Sequence, residues 1–232
     1  MFTILVVDDD KNTRQLIKAV LESERYTVHT AVNGEDALEV MDSKHIDLVV
    51  LDVMMPGIDG IEVCKRLRER SSTLGIIMLS AKSQEVDKVS SLMIGADDYI
   101  VKPTSIPELI ARVDAVYRRV SMTHVKSGQE VTEIVSGPFR LDLKSRAVYK
   151  NDELIDLTQV EYQIMEYFFK NQNTALDRES ILSQIWGANY YGGDKIVDVN
   201  IRRIRMKIED EPSNPEYLMT IWGFGYKWVN EQ

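Results

Sequence analysis

Cysteine, histidine, net positive charge and long apolar runs are all scarce in this 232-residue chain. The single cysteine, Cys64, excludes an internal disulfide, and its neighbours Ile61, Val63 and Leu67 make it a small core residue. The three histidines, His29, His45 and His124, stand apart from the acidic clusters in sequence, which argues against a zinc set. No apolar run reaches the roughly 18 residues of a membrane span. The opening "MFTILVV" lacks a basic start and runs directly into "DDD", so no signal peptide and no membrane partner are expected. A cytoplasmic protein follows as the expectation. The net charge of −9 excludes nonspecific coating of nucleic acid. Residues 1–120 carry 15 basic and 20 acidic side chains, and the remainder 13 and 17. A nucleic-acid site must therefore concentrate its charge on one element.

What is present is an alternation. Short β-type runs at Ile4–Val7, Thr27–Ala31, Leu48–Leu51, Ile76–Leu79 and Tyr99–Val101 are separated by segments of helical period. Near-continuous apolar strands between helices imply a doubly wound parallel sheet covered on both faces. The polar stretch 121–133 breaks the pattern and reads as a linker between a domain at 1–120 and a second at 134–232. The second domain changes order. Two short antiparallel strands, Phe139–Leu143 and Ala147–Tyr149, precede a helix opened by a Thr158/Glu161 capping box. A second helix starts at Asp177, a third lies in "DKIVDVNIRRIRMKIED", and a closing hairpin turns at Gly223–Gly225. This is a small α+β unit.

The C-terminal ends of the first-domain strands carry Asp8, Asp9 and Asp10, then Asp52, Ser80 and Lys102. In an open parallel sheet the ligand site lies at this edge. Carboxylates gathered there repel by about 1–4 kcal/mol per pair at roughly 4 Å, so a compensating cation is required. Oxygen-only ligands favour Mg²⁺. A hydroxyl at Ser80 and an ammonium at Lys102 suit an anionic phosphoryl group, which suggests a carboxylate nucleophile assisted by the metal. The plainer alternative is that acids merely end strands at a wet edge. It suffices for "DDD" alone but not for four matching strand ends in order.

With these residues in hand, 1–120 resembles the receiver domain of a bacterial two-component response regulator, through "VVDDD", "VVLDVMMPGIDG", "IIMLSA" and "GADDYIVKP". The resemblance implies a flavodoxin-like five-stranded fold. It makes Asp52 the phosphoacceptor, Asp8, Asp9 and Asp52 with the Met54 carbonyl the Mg²⁺ pocket, and Lys102 the phosphoryl contact before a cis bond to Pro103. Ser80 and Tyr99 become the switch pair. Thr104 departs from the family, which mostly has Phe there. Asp52 also has Met54, not a second acid, two residues on. That argues against the rival reading of an aspartyl-phosphate phosphatase.

The third helix of the second domain has an apolar stripe of Val197, Ile201, Ile204 and Ile208. The opposite face is read as Lys195, Val199, Asn200, Arg202, Arg203, Met206 and Lys207, with four basic residues and no acid between Val199 and Lys207. Asn and Arg are suited to base edges and phosphates. Residues 134–229 resemble the winged-helix output domain of the OmpR/PhoB family through "LTQVEYQIMEYF", "IVDVNIRRIRMKI" and "TIWGFGYKW". By that pattern Lys195, Val199, Asn200 and Arg203 face the major groove, Arg202 and Arg205 contact phosphates, and the hairpin is the wing. Trp222 stands where an Arg often enters the minor groove. The loop "WGANYYGGD" matches one that can touch RNA polymerase.

The implied protein is a regulator rather than an enzyme, catalysing only its own phosphoryl transfer and slow dephosphorylation. A sensor histidine kinase would phosphorylate it, and it would bind tandem promoter half-sites as a homodimer. The receiver's dimer face would carry Lys88, Asp97, Asp98, Glu108, Arg112 and Arg119. Lys88–Glu108 and Asp98–Arg112 pairs across a two-fold axis are expected. Intrachain or solvated charge is the alternative.

Overall fold

The computed structural model describes residues 2–81, 85–121, 132–188, 190 and 193–230. The chain forms two compact units, Met1–Ser121 and Met122–Gln232.

In the first unit the strands β1 (Thr3–Val7), β2 (Thr27–Ala31), β3 (Leu48–Asp52), β4 (Gly75–Ser80) and β5 (Asp98–Val101) pair in parallel, in the order β2-β1-β3-β4-β5. This is the flavodoxin-like sheet expected. The helices α1 (Lys11–Ser23), α2 (Gly34–Ser43), α3 (Gly60–Arg70) and α4 (Glu85–Ile94) connect them, and α5 (Ile106–Ser121) follows β5. Alternate strand residues build one core layer, Ile4, Val6, Leu48, Val50, Ile77 and Leu79, which packs on Ile17 and Leu21 of α1 and on Leu109, Val113 and Val116 of α5. The intervening residues Leu5, Val49 and Leu51 are equally buried. Each such side chain contributes roughly 1.5–3 kcal/mol, so the central strands cannot slip in register without loss. Helix starts are set by side-chain caps: Asp10, Asn33 and Asp59 accept from the backbone of Thr13, Asp36 and Glu62. Gly60 is required where α3 begins, because a Cβ there would lie 2.0 Å from the Asp52 carbonyl oxygen.

The second unit has more strands than the sequence suggested. β6 (Glu133–Ser136), β7 (Phe139–Asp142), β8 (Ala147–Lys150) and β9 (Glu153–Ile155) form one antiparallel sheet in chain order. β6 thus begins on the last residue assigned to the linker, and α5 ends on its first. The missed β9 follows a hairpin turn in which Asn151 and Asp152 both have positive φ. The helix α6 (Gln159–Lys170) carries the full Thr158/Glu161 capping box, and α7 (Arg178–Trp186) is capped by Asp177. α8 (Lys195–Ile208) follows. A second sheet, β10-β12-β11, joins Ala175–Asp177 to the hairpin of β11 (Leu218–Ile221) and β12 (Gly225–Trp228). The result is the expected winged helix. Its centre is aromatic: Trp228 packs edge-on to Phe139 and against Phe169, and its Nε1 donates to Ser136 Oγ at 2.8 Å. Among the described residues no helix is long and apolar enough to cross a membrane.

Candidate functional site

Three successive acids end β1, and each has a different fate. Asp8 is fully buried, Asp9 is exposed, and Asp10 leaves the edge to cap α1. The neighbouring strands deliver buried Asp52 and Ser80 as their last residues, and Lys102 follows β5. Sheet pairing continues past the strand ends, with Val53 N donating to Leu79 O and Lys102 N to Ser80 O. Lys102 Nζ therefore reaches Asp8 Oδ2 at 2.7 Å and Asp52 Oδ2 at 2.8 Å. One carboxylate oxygen from each of Asp8, Asp9 and Asp52 lies within 4.8 Å of the others.

The electrostatics are unfinished. Three carboxylates against one ammonium leave a formal charge of −2 when all four groups are ionised. Burial pushes the Asp52 carboxyl above its ordinary range, against the pull of Lys102, and nearby Asp8 adds to the rise. Burial pulls Lys102 down, but its bonds to Asp52 and Asp8 outweigh that and leave it raised. The group that would complete the cluster is a cation with oxygen ligands, and exposed Asp9 leaves it a route in. Met54 donates its backbone N–H weakly to Asp52 Oδ1 at 3.4 Å, with its side chain 55% exposed. The Lys102–Pro103 bond is cis, as expected. Thr104 places its hydroxyl 3.4 Å from Glu108 Oε2 at the start of α5. Tyr99 is buried on β5 beside Met78.

Two arginines join this unit's machinery without having been singled out. Arg14 donates from α1 to the carbonyls of Asp8 and Asp9, holding the acidic loop by its backbone. Its signal was position alone, one turn into the helix that follows the acids. Arg68, near the end of α3, reaches the segment before β5, donating to Gly95 O and pairing with Asp97 at 2.8 Å.

That pairing bears on the expected dimer face. Asp97 is committed to Arg68, and Arg112 is buried against Asp98 at 2.7 Å and Glu108 at 2.7 Å within the same chain. Asp98 and Arg112, expected to pair across a two-fold axis, also pair with each other within one chain. The i, i+4 spacing on α5 brings Glu108 to Arg112, and β5 packs Asp98 beneath them. The side chains of Lys88 and Arg119 lie outside the described residues.

On α8 the apolar stripe is as expected, but its flank is not open. Val199, Asn200 and Arg203 are buried, which overturns their assignment to an exposed DNA-reading face. Asn200 bonds back to Ile196 O at 2.8 Å, and Arg203 Nε meets Glu161 Oε1 at 2.9 Å. The cause is Glu161 of α6. Fully buried, it accepts from Thr158 N and draws in both Arg203 and Lys207, whose charges lower its pKa despite burial. Arg205 is half-buried and spends its guanidinium on Leu218 O and Thr220 of β11, so it braces the hairpin rather than facing outward. The open arc is Lys195, Arg202 and Met206, with Trp222 exposed on the hairpin. Of the loop Trp186–Asp194, Asn189, Tyr191 and Gly192 lie outside the described residues, and Trp186 is buried at the end of α7.

Comparison with known proteins agrees with both halves. The response regulator receiver domain family matches residues 4–114, and the family described as transcriptional regulatory protein, C terminal, matches 151–228. The chain is 40% identical over 230 residues to the probable transcriptional regulator ycf27 of Cyanidium caldarium, covering 96% of this chain and 92% of that one. It is also 40% identical over 227 residues to the sensory transduction protein RegX3 of Mycobacterium tuberculosis, covering 98% and 99%. The crystal structure of response regulator DrrB, a Thermotoga maritima OmpR/PhoB homologue, matches at 32% identity with a TM-score of 0.53, over 99% of this chain and 100% of that one. With an acidic strand-end pocket in one unit and a winged helix in the other, the chain belongs to the OmpR/PhoB family of two-component response regulators, and acts as a phosphorylation-controlled regulator of transcription.

Proposed function

We propose that Asp52 is the phosphoacceptor and that its donor is the phosphohistidine of a sensor histidine kinase. The observation that carries this reading is the Lys102 ammonium held on Asp8 and Asp52 together, inside a cluster still two charges short of neutrality. An Asp52 carboxylate oxygen attacks phosphorus, the P–N bond breaks, and the histidine leaves with its electron pair and takes up a proton. Lys102 offers its ammonium to the transferring oxygens, and the Ser80 hydroxyl lies on the adjacent strand end to receive another. Asp8, Asp9, Asp52 and the Met54 carbonyl would hold Mg²⁺, whose contribution is to neutralise charge developing on the phosphoryl oxygens.

Ser80 and Tyr99 then couple the phosphoryl group to the α4–β5–α5 face, through which the receiver pairs as a homodimer. Phosphorylation has to loosen the internal Arg112–Asp98 and Arg68–Asp97 pairs or build the interface around them. Pairing sets two winged helices on tandem half-sites of promoter DNA and raises affinity through effective concentration. The open arc of α8 supplies Lys195, Arg202 and Met206 to the major groove, and the loop before α8 faces RNA polymerase. The protein works in the cytoplasm, where kinase and promoter meet, and removes its own phosphoryl group slowly. Incubation with Mg²⁺ and acetyl phosphate should add one phosphoryl group to the unmodified chain and none to Asp52→Asn, read by intact mass. Equal labelling of the two would overturn the assignment.

A further inference from the structure

The three tryptophans of this chain are disposed very unequally. Trp186 and Trp228 are core residues, whereas Trp222 is 92% exposed at the tip of the β11–β12 hairpin, with Phe224 half exposed beside it. Among the described residues nothing covers this ring, and leaving a side chain of this size in water forgoes a large apolar gain. The tip itself is firmly built. Phe224 N donates to Ile221 O at 3.0 Å, and Gly223 takes a φ of +73, which places Trp222 at the leading corner of a tight turn. The base is anchored on several sides. β12 lies between β10 and β11, Tyr226 Oη donates to Asp198 of α8 at 2.6 Å, and Arg205 of α8 grips Leu218 O and Thr220. Gly225 sits so close to Leu176 O that a Cβ would fall 2.1 Å from it. The hairpin therefore carries Trp222 on a stiff mount beside the open arc of α8.

The occupant follows from charge and continuity. Exposed Lys195 and Arg202 on that arc suit a polyanion, and the neighbouring Asp198 is already paired to Arg178 at 2.7 Å. The tip sequence Trp222–Gly223–Phe224 carries no cation, so it cannot read the minor groove by charge. A flat apolar ring can enter a groove roughly 6 Å wide edge-on and stack against a base step. We infer that Trp222 is an aromatic wedge, which enters the minor groove next to the α8 site, partly unstacks one base step and bends the duplex. Flexible pyrimidine–purine steps are then favoured at a position read through no hydrogen bond. This inference rests on the DNA-binding reading above and adds its mode.

The test uses the phosphorylated full-length chain and duplexes recovered by it from a random-sequence pool. Trp222→Ala should weaken binding to such a duplex about ten-fold or more, as loss of one stacked base predicts. The bend, measured by end-to-end energy transfer, should be lost while the thermal midpoint stays unchanged. Trp222→Phe should keep the bend. Trp222→Arg should bind straight DNA and steepen the salt dependence by about one unit. Recovery of no duplex by the unmodified chain overturns the DNA-binding reading itself. Recovery of duplexes that Trp222→Ala binds and bends equally well overturns the wedge alone and leaves the tip to a protein partner.

Discussion

Each unit of the chain buries a carboxylate among cations, and the two clusters are out of balance in opposite directions. At the receiver edge Asp8 and Asp52 share the ammonium of Lys102, exposed Asp9 lies beside them, and burial raises the Asp52 pKa. In the winged helix one acid, Glu161, is fully enclosed, caps its own helix, and meets both Arg203 and Lys207, which hold its pKa down. The first is a cluster with unmet negative charge, which the proposed function fills with a cation and a phosphoryl group. The second is a closed joint that fixes α8 against α6. Ion pairing alone does not distinguish site from scaffold. The sign of the unmet charge and its access to solvent do.

The largest expected effect comes from breaking the closed joint. Glu161→Ala should cost the second unit roughly 3–5 kcal/mol, because Arg203 loses its buried partner. Chemical denaturation followed by Trp186 and Trp228 fluorescence measures this, since all three tryptophans lie in that unit. Next, Arg203→Ala should lower stability by roughly 1–3 kcal/mol, less than the loss of Glu161 because Lys207 still serves the acid. Its neighbour Arg202→Ala should change stability by at most about 0.5 kcal/mol, yet weaken specific DNA binding by roughly 1–3 kcal/mol. The reverse assignment of the two effects would mean that Arg203 does face DNA. On the receiver side, Asp8→Asn should cut Mg²⁺ affinity on the order of ten-fold, read by calorimetry, while Glu161→Gln leaves it alone.

The smallest effect is in titration, and it has opposite sign in the two clusters. Glu161 is depressed on folding, so its contribution is present above its unfolded pKa and is lost as pH falls through the folded value. Asp52 is raised, so the folded state holds that proton more tightly, and receiver stability falls as pH rises through the folded value. Carbon-detected carboxyl titration of the full chain should find Asp52 above the usual aspartate range and Glu161 below the usual glutamate range. Matching directions would dissolve the contrast.

Much of the receiver was legible because its chemistry sits at strand ends. A run of buried apolar residues shows where a parallel strand stops, and whatever follows lies at the common edge. Asp8, Asp52, Ser80 and Lys102 could be gathered on that ground alone, and the structure joins Lys102 to Asp8 and Asp52 and ends the adjacent strand on buried Ser80. The short strands of the second unit were less visible, since β9 has three residues and β6 abuts a polar linker. Its helices were easy to find, through the Thr158/Glu161 box and the Asp177 cap.

The sequence by itself determined the strand order chemistry, the acidic edge, the caps and the apolar stripe of α8, because each depends on local period or on where a strand ends. Only the tertiary structure decided which polar residues of α8 are available. Helical period places Asn200, Arg202 and Arg203 around a circle, but the arc that closes depends on what packs against it. An arginine turns inward where buried acceptors meet it, and the acid that claims Arg203 belongs to another helix. The same holds for Arg112 and Asp98, whose charges read as a surface until the packing of α5 on β5 brought them together inside one chain.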